Sequence, residues 1–101
     1  MTGCTVAEFI DDLLTMGGPE KEFVFRNRFF FLETLYRDEK EMLELYLDEY
    51  DNTNPKSKIH LQRHSFWGHN FAECVAQFEK AKIFGGMTFY EADQELEGLY
   101  G

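Results

Sequence analysis

Basic residues are scarce in this chain: 10 Lys+Arg stand against 19 Asp+Glu, for a net charge of -9. Phosphate affinity rests on cationic groups, so binding of free nucleic acid through bulk charge is disfavoured. No apolar run approaches the roughly 20 residues of a membrane-spanning helix, and the N-terminus has no basic stretch followed by an apolar core. Cysteine is also sparse, with 2 in the chain. Cys4 and Cys74 lie far apart and match no disulfide framework, so they read as two free thiols. Catalytic signatures are missing too. The Gly17-Gly18 pair follows a helix pattern instead of preceding one, which excludes a phosphate loop. Cys74 falls on an apolar helix stripe, where a thiol is inert. A general acid needs a pocket that raises its pKa, and a solvated acidic edge supplies none. These absences predict a non-enzyme with no cofactor.

What is present is apolar and aromatic. Of 101 residues, 44% are hydrophobic and 17% aromatic, including 11 Phe, which is far too apolar for a disordered acidic tail. Residues 1–101 therefore read as a single domain. The charge is uneven along it. Residues 1–51 carry 13 acids and 5 bases (-8), residues 52–86 carry 2 acids and 5 bases (+3), and residues 87–101 carry 4 acids and no base (-4). The densest stretch runs from Glu33 to Asp51, with 8 carboxylates against Arg37 and Lys40.

Thr5-Val6-Ala7-Glu8 is a capping box, and Phe9, Ile10, Leu13 and Leu14 follow at helical spacing until Gly17-Gly18-Pro19. This predicts a helix over 5–16. Phe23-Val24-Phe25 and Phe29-Phe30-Phe31-Leu32, separated by Arg26-Asn27-Arg28, predict a tight hairpin, because Asn accepts positive φ cheaply. In Met42–Asp48, Leu43, Leu45 and Leu47 alternate with Glu44, Tyr46 and Asp48, the pattern of a half-buried antiparallel strand. Residues 51–57 form a polar loop. A fourth strand follows, with Ile59, Leu61 and Arg63 alternating against His60, Gln62 and His64. Asn70 caps a second helix with the stripe Phe71, Cys74, Val75 and Phe78. Thr88-Phe89-Tyr90-Glu91 repeats the capping box ahead of Ala92, Leu96 and Leu99, predicting a third helix. The expected fold is α+β, a four-stranded antiparallel meander covered on one face by an N-terminal helix and two C-terminal helices, in the order α-β-β-β-β-α-α.

Three constellations can be weighed for function. His60, His64, His69 and Cys74 include zinc-type ligands, but strand residues four apart share a face at ~13 Å, too far for a common ion. No metal site is expected. Lys56, Lys58, Arg63, His64 and Trp67 interleave basic groups with an aromatic, which would suit a phosphate backbone and a stacked base. The acidic stretch supplies Glu33, Asp38, Glu39, Glu41, Glu44, Tyr46, Asp48, Glu49 and Asp51, a carboxylate array suited to a basic partner. Its plainer reading is a solvated face that keeps a Phe-rich domain soluble. Self-association through an exposed edge strand or the Phe cluster, giving a homodimer, is a further alternative.

The capped helix, the aromatic hairpin, the acidic third strand and the closing Ile83-Phe84-x-Gly86-x-Thr88-Phe89-Tyr90-Glu91 resemble small acidic proteins of phages and mobile elements, the anti-CRISPR inhibitors. The resemblance implies a non-catalytic inhibitor in the cytoplasm of a bacterial host. It would present its acidic surface, as a DNA mimic, to the nucleic-acid-binding cleft of a Cas9-like nuclease or its guide complex and block DNA binding or cleavage. It carries over no individual functional residue.

Overall fold

Helix α1 (Val6–Met16) begins at the predicted capping box: the Glu8 amide donates to Thr5 Oγ1 at 3.1 Å and Glu8 Oε1 accepts from the Thr5 amide at 3.2 Å. The computed structural model describes residues 5–16, 20–51 and 59–97. Cys4, the predicted helix stop at 17–19, residues 52–58 with Lys56, Lys58 and most of the predicted 51–57 loop, and Leu99 lie outside the described residues.

Strands β1 (Lys21–Phe25) and β2 (Arg28–Arg37) pair antiparallel as the expected hairpin, with a turn of two residues because Arg28 joins β2. Arg26 and Asn27 both adopt positive φ, at 44° and 63°, which matches the right-handed twist of the hairpin. Arg is a poor residue for that conformation. Its guanidinium is held by Glu95, with Nε and Nη2 donating at 2.6 and 2.9 Å. Strand β3 (Met42–Asp51) pairs along the whole length of β2, and β4 (Ile59–Gly68) pairs with β3. Asn70 Oδ1 then accepts from the Glu73 amide at 2.9 Å and starts helix α2 (Phe71–Lys80).

The α+β class and the antiparallel sheet match expectation, but the sheet has five strands in the order β4-β3-β2-β1-β5. The predicted third helix is not formed. The Thr88/Glu91 capping box is made, with the Glu91 amide donating to Thr88 Oγ1 and Glu91 Oε1 accepting from the Thr88 amide. It caps only one turn, in which the Ala92 amide reaches the Thr88 carbonyl at 3.0 Å. A 3₁₀ turn over Asp93–Glu95 follows, and β5 (Leu96–Glu97) pairs outside β1. Leu96 is fully buried as a strand residue, so burial against β1 overrides a short and weak helical pattern.

Both helices lie on one face of the sheet. The core between them is a phenylalanine cluster. Phe23 stacks on Phe30 with centroids 5.2 Å apart, and Phe9, Phe84 and Phe89 surround the pair at 5.3–5.9 Å. Phe78 of α2 meets Phe89 at 5.0 Å and Phe66 of β4 at 5.7 Å. A two-residue turn at Gly85 and Gly86, φ 61° and 82°, returns the chain so that Phe84 and Met87 bridge and both Phe84 and Phe89 point inward. The positive φ at 85 favours glycine, and a Cβ there would lie 2.5 Å from Arg26 Nη1, so that guanidinium would have to shift.

Strand β4 departs from the predicted alternation. Glu49 pairs with Gln62 but Tyr50 pairs with His60, so Leu61 is an extra residue in a β-bulge. Ile59 and Leu61 are 52% and 42% exposed, and the strand's core residue is Phe66. The bulge also puts His60 and His64 on opposite faces, correcting the expectation that they share one.

Truncating the centre of the Phe cluster should be severe. Phe23→Ala is expected to lower unfolding stability by about 3–5 kcal/mol, the range for large-to-small aromatic changes in cores. Tyr36→Ala, at a site 58% exposed, should change it by less than about 0.5 kcal/mol. Urea unfolding followed by circular dichroism measures both.

Candidate protein-docking face

The sheet face opposite the helices is built from the outward half of each strand's alternation. Register places its residues in rows across the strands. One row reads Glu97, Val24, Phe29, Tyr50, His60 from β5 to β4. The next reads Glu22, Phe31, Asp48, Arg63, and the third Glu33, Tyr46, Ser65. Leu35, Glu44 and Trp67 make the fourth. No helix covers these rows, yet Glu44 is only 6% exposed and Asp48 only 4%.

Long side chains from the same face do the covering. Arg63 donates from Nε and Nη2 to the two carboxylate oxygens of Asp48 at 2.7 and 2.9 Å, a bidentate clamp. Its guanidinium also lies over the Tyr46 ring, 3.9 Å from the centroid. His60 Nε2 approaches Asp48 Oδ1 at 3.2 Å. Glu44 receives Arg37 Nε at 2.8 Å and Ser65 Oγ at 2.6 Å. Lys40, from the 38–41 turn, sits 4.4 Å from the Trp67 centroid.

Burial pushes both carboxyls up, but these partners outweigh it. Hydrogen bonds from Ser65 and Arg37 hold Glu44 below its ordinary value, and Arg63 and His60 do the same for Asp48. Tyr46 moves the other way. Burial and a hydrogen bond to Glu33 push its hydroxyl up to about 12, so it stays neutral.

The predicted acidic residues therefore divide. Glu44 and Asp48 share a face with Tyr46 between them, as expected, but they are neutralised by their own chain. Glu33 faces the same way and is held by Tyr46. Glu49 points to the helix side, where His64 Nε2 lies 3.3 Å from its Oε1, and Arg28 spans Glu49 and Asp51 at 3.9 and 3.7 Å. Asp38, Glu39 and Glu41 are exposed in the 38–41 turn, where an outside cation can reach them.

The basic set does not assemble. Arg63 is clamped on the uncovered face, His64 is on the other, and Trp67 lies beside Lys40. Among the described residues no group of three or more His, Cys, Asp or Glu side chains is placed to hold a metal ion. Cys74 is buried on the inner side of α2 with its thiol 3.5 Å from the Leu43 carbonyl, and burial pushes its pKa up.

Compositional reading missed the far end of the face, near β5. Glu20, Glu22 and Glu97 line a cleft of about 420 Å³ over Val24 and Phe29. A neighbouring hollow of about 290 Å³ continues across Phe29, Phe31 and Tyr50. Glu97 is brought here only because β5 forms, and no sequence signal distinguished that strand from a helix.

No helix among the described residues is long and apolar enough to cross a membrane. Compared with protein families, curated proteins and solved structures, the chain shows no match.

The depressed carboxyls give a signed pH dependence. Their stabilisation is complete above the ordinary carboxylate range of about 4 and is lost as pH falls through that range toward the lower folded values. Stability to urea should therefore hold down to about pH 5 and drop progressively below it. Arg63→Met should cost about 1–3 kcal/mol at neutral pH, because Asp48 loses a charged hydrogen-bond partner. It should also make the decline toward acid shallower, since Asp48 would no longer titrate below its unfolded value.

Proposed function

We propose that the chain is a non-catalytic binding protein that docks acidic surface onto a basic partner and inhibits it. One observation carries this reading: each arginine of the chain is held by a carboxylate of the same chain. Arg26 pairs with Glu95, Arg28 with Glu49 and Asp51, Arg37 with Glu44, and Arg63 with Asp48. What the described surface offers outward is therefore dominated by carboxylates beyond those pairs, at the 38–41 turn and along the β1–β5 side of the uncovered face. A solvated acidic coat alone has no need of an uncovered sheet face carrying Val24, Phe29, Phe31 and Tyr50.

The resemblance to anti-CRISPR inhibitors makes the nucleic-acid channel of a Cas9-like nuclease the partner of choice, because that channel is strongly positive. The carboxylates that reach it are Asp38, Glu39 and Glu41, with Glu44 and Asp48 shaping the face behind them. Inhibition follows from occupying the channel and excluding DNA. The clamping of Arg63 by Asp48 and the placement of His64 on the opposite face favour this over direct contact with nucleic acid.

Calorimetric titration of the guide-loaded nuclease with the chain is the test. Affinity should fall as salt rises from about 0.05 to 0.5 M, where the Debye length shrinks from over 10 Å to a few ångströms. The triple variant Asp38→Lys, Glu39→Lys, Glu41→Lys should bind about tenfold or more weakly. Salt-independent binding would sink the charge mechanism, and absence of binding would sink the choice of partner.

A further inference from the structure

Among the described residues no strand pairs outside β4, which is one edge of the sheet. The hairpin at the far side fixes which of its backbone groups face outward. The Arg26-Asn27 turn, with both φ positive, closes on Phe25 and Arg28, which bond to each other. Bonding direction alternates along a strand, so Phe31 and Glu33 turn to β3 and meet Asp48 and Tyr46. Leu45 and Leu47 are then left for β4, where they meet Phe66 and His64. Arg63, Ser65 and Trp67 therefore direct their N–H and C=O groups away from the sheet. A separate contact agrees with this, since the Trp67 carbonyl accepts from the Gln77 side chain of α2.

Long edges are ordinarily guarded. At the opposite edge β5 is only two residues long. Strand β4 runs for ten and carries neither lysine nor proline. The bulge at Leu61 bends its first residues, with Ile59 and Leu61 exposed, and leaves residues 62–68 in regular register. Side chains that could block an approaching strand are folded back, Arg63 over Tyr46 and Asp48 and the Ser65 hydroxyl onto Glu44. Every other described helix and strand carries at least one carboxylate; β4 carries none.

We propose that the β4 edge is an interface for the β4 edge of a second copy of this chain, the two strands pairing antiparallel about a two-fold axis to make one continuous sheet. Charge selects the occupant. Two copies of a chain at -9 repel each other, and β4 is the element through which they meet without setting strand carboxylate against strand carboxylate. Two-fold symmetry pairs a strand with itself in the antiparallel sense. The free backbone groups then set the register. Arg63 opposite Arg63 would bring two guanidinium groups together, and Ser65 opposite Ser65 would call on the Trp67 carbonyl that Gln77 occupies. Arg63 opposite Ser65 of the second copy avoids both, each such pair exchanging its N–H···O bonds, with His64 at the axis. Opposed residues share a sheet face, so both uncovered faces lie on the same side of the dimer. This interface stands apart from the reading of the chain as an inhibitor of a basic partner.

The test combines sedimentation with amide hydrogen exchange on the unmodified chain. The contact is smaller than a standard interface, so its dissociation constant should be on the order of 100 μM. Sedimentation should then show mostly monomer at about 20 μM and mostly dimer at about 1 mM. Over the same range exchange at the Arg63 and Ser65 amides should slow about fivefold, while the His64 and Phe66 amides, bonded to β3, stay protected throughout. Ser65→Pro removes an outward N–H that the sheet itself does not use, and should weaken association about tenfold or more. Ser65→Ala loses the same hydroxyl bond to Glu44 but keeps that N–H, and should still dimerise. A monomer at about 1 mM would overturn the interface. So would a dimer whose Arg63 and Ser65 amides exchange as fast as in the monomer, or undiminished association of a folded Ser65→Pro chain. If that variant does not fold, the exchange pattern of the unmodified chain decides.

Discussion

Strand β3 is enclosed on both sides, although helices lie over only one of them. Leu45 and Leu47 disappear into the phenylalanine core, and Glu44, Tyr46 and Asp48 on the reverse are nearly as inaccessible. Carboxylates in such a position are costly unless paired and hydrogen-bonded. The chain meets that requirement with Arg37, Ser65, Arg63 and His60, so the identity of residues on β2 and β4 is tied to the acids on the strand between them. The rest of the uncovered face follows from this constraint. Arg37 and Arg63 are taken up by Glu44 and Asp48, and the other exposed acids of this face and its edges lie at the 38–41 turn and on the β1–β5 side.

The alternation in β3 was readable from sequence because Leu and charged residues differ so strongly in transfer free energy. The Arg26-Asn27 turn and the Asn70 cap were readable for a different reason. Each satisfies a local backbone need that few residue types meet. What could not be read was anything set by a partner distant in the chain. The Leu61 bulge depends on how β4 meets Glu49 and Tyr50, and its apolar residue belonged, by pattern alone, to the core. The Thr88/Glu91 box is a correct local signal with a wrong extension. It caps a turn, and whether the turn becomes a helix is decided by the pull of Leu96 into the core beside Phe25.

The same division applies to the docking face. Asp38, Glu39 and Glu41 stood out because a charged turn between two strands has nowhere to go but solvent. Glu44 and Asp48 stood out equally, and a count of charges along the chain cannot tell a carboxylate that meets water from one clamped by an arginine fifteen residues on. Cross-strand pairing is the missing information. Once register is known, Asp48 lies directly opposite Arg63, and its charge is assigned to the interior of the face.

A binding surface with acids spread evenly would attract a basic partner without orienting it, because Coulomb attraction at surface dielectric varies slowly over the width of a sheet. The face described here is polarised instead. At the β3–β4 side Arg63 and Arg37 are held by Asp48 and Glu44; at the β1–β5 side Glu20, Glu22 and Glu97 border Val24 and Phe29. Under the proposed docking function, a cationic segment is drawn to the carboxylates of the 38–41 turn and the β1–β5 side in preference to the β3–β4 side, where Asp48 and Glu44 already hold arginines. An attraction concentrated in this way orients a partner as well as positioning it, which a uniform carboxylate surface cannot do.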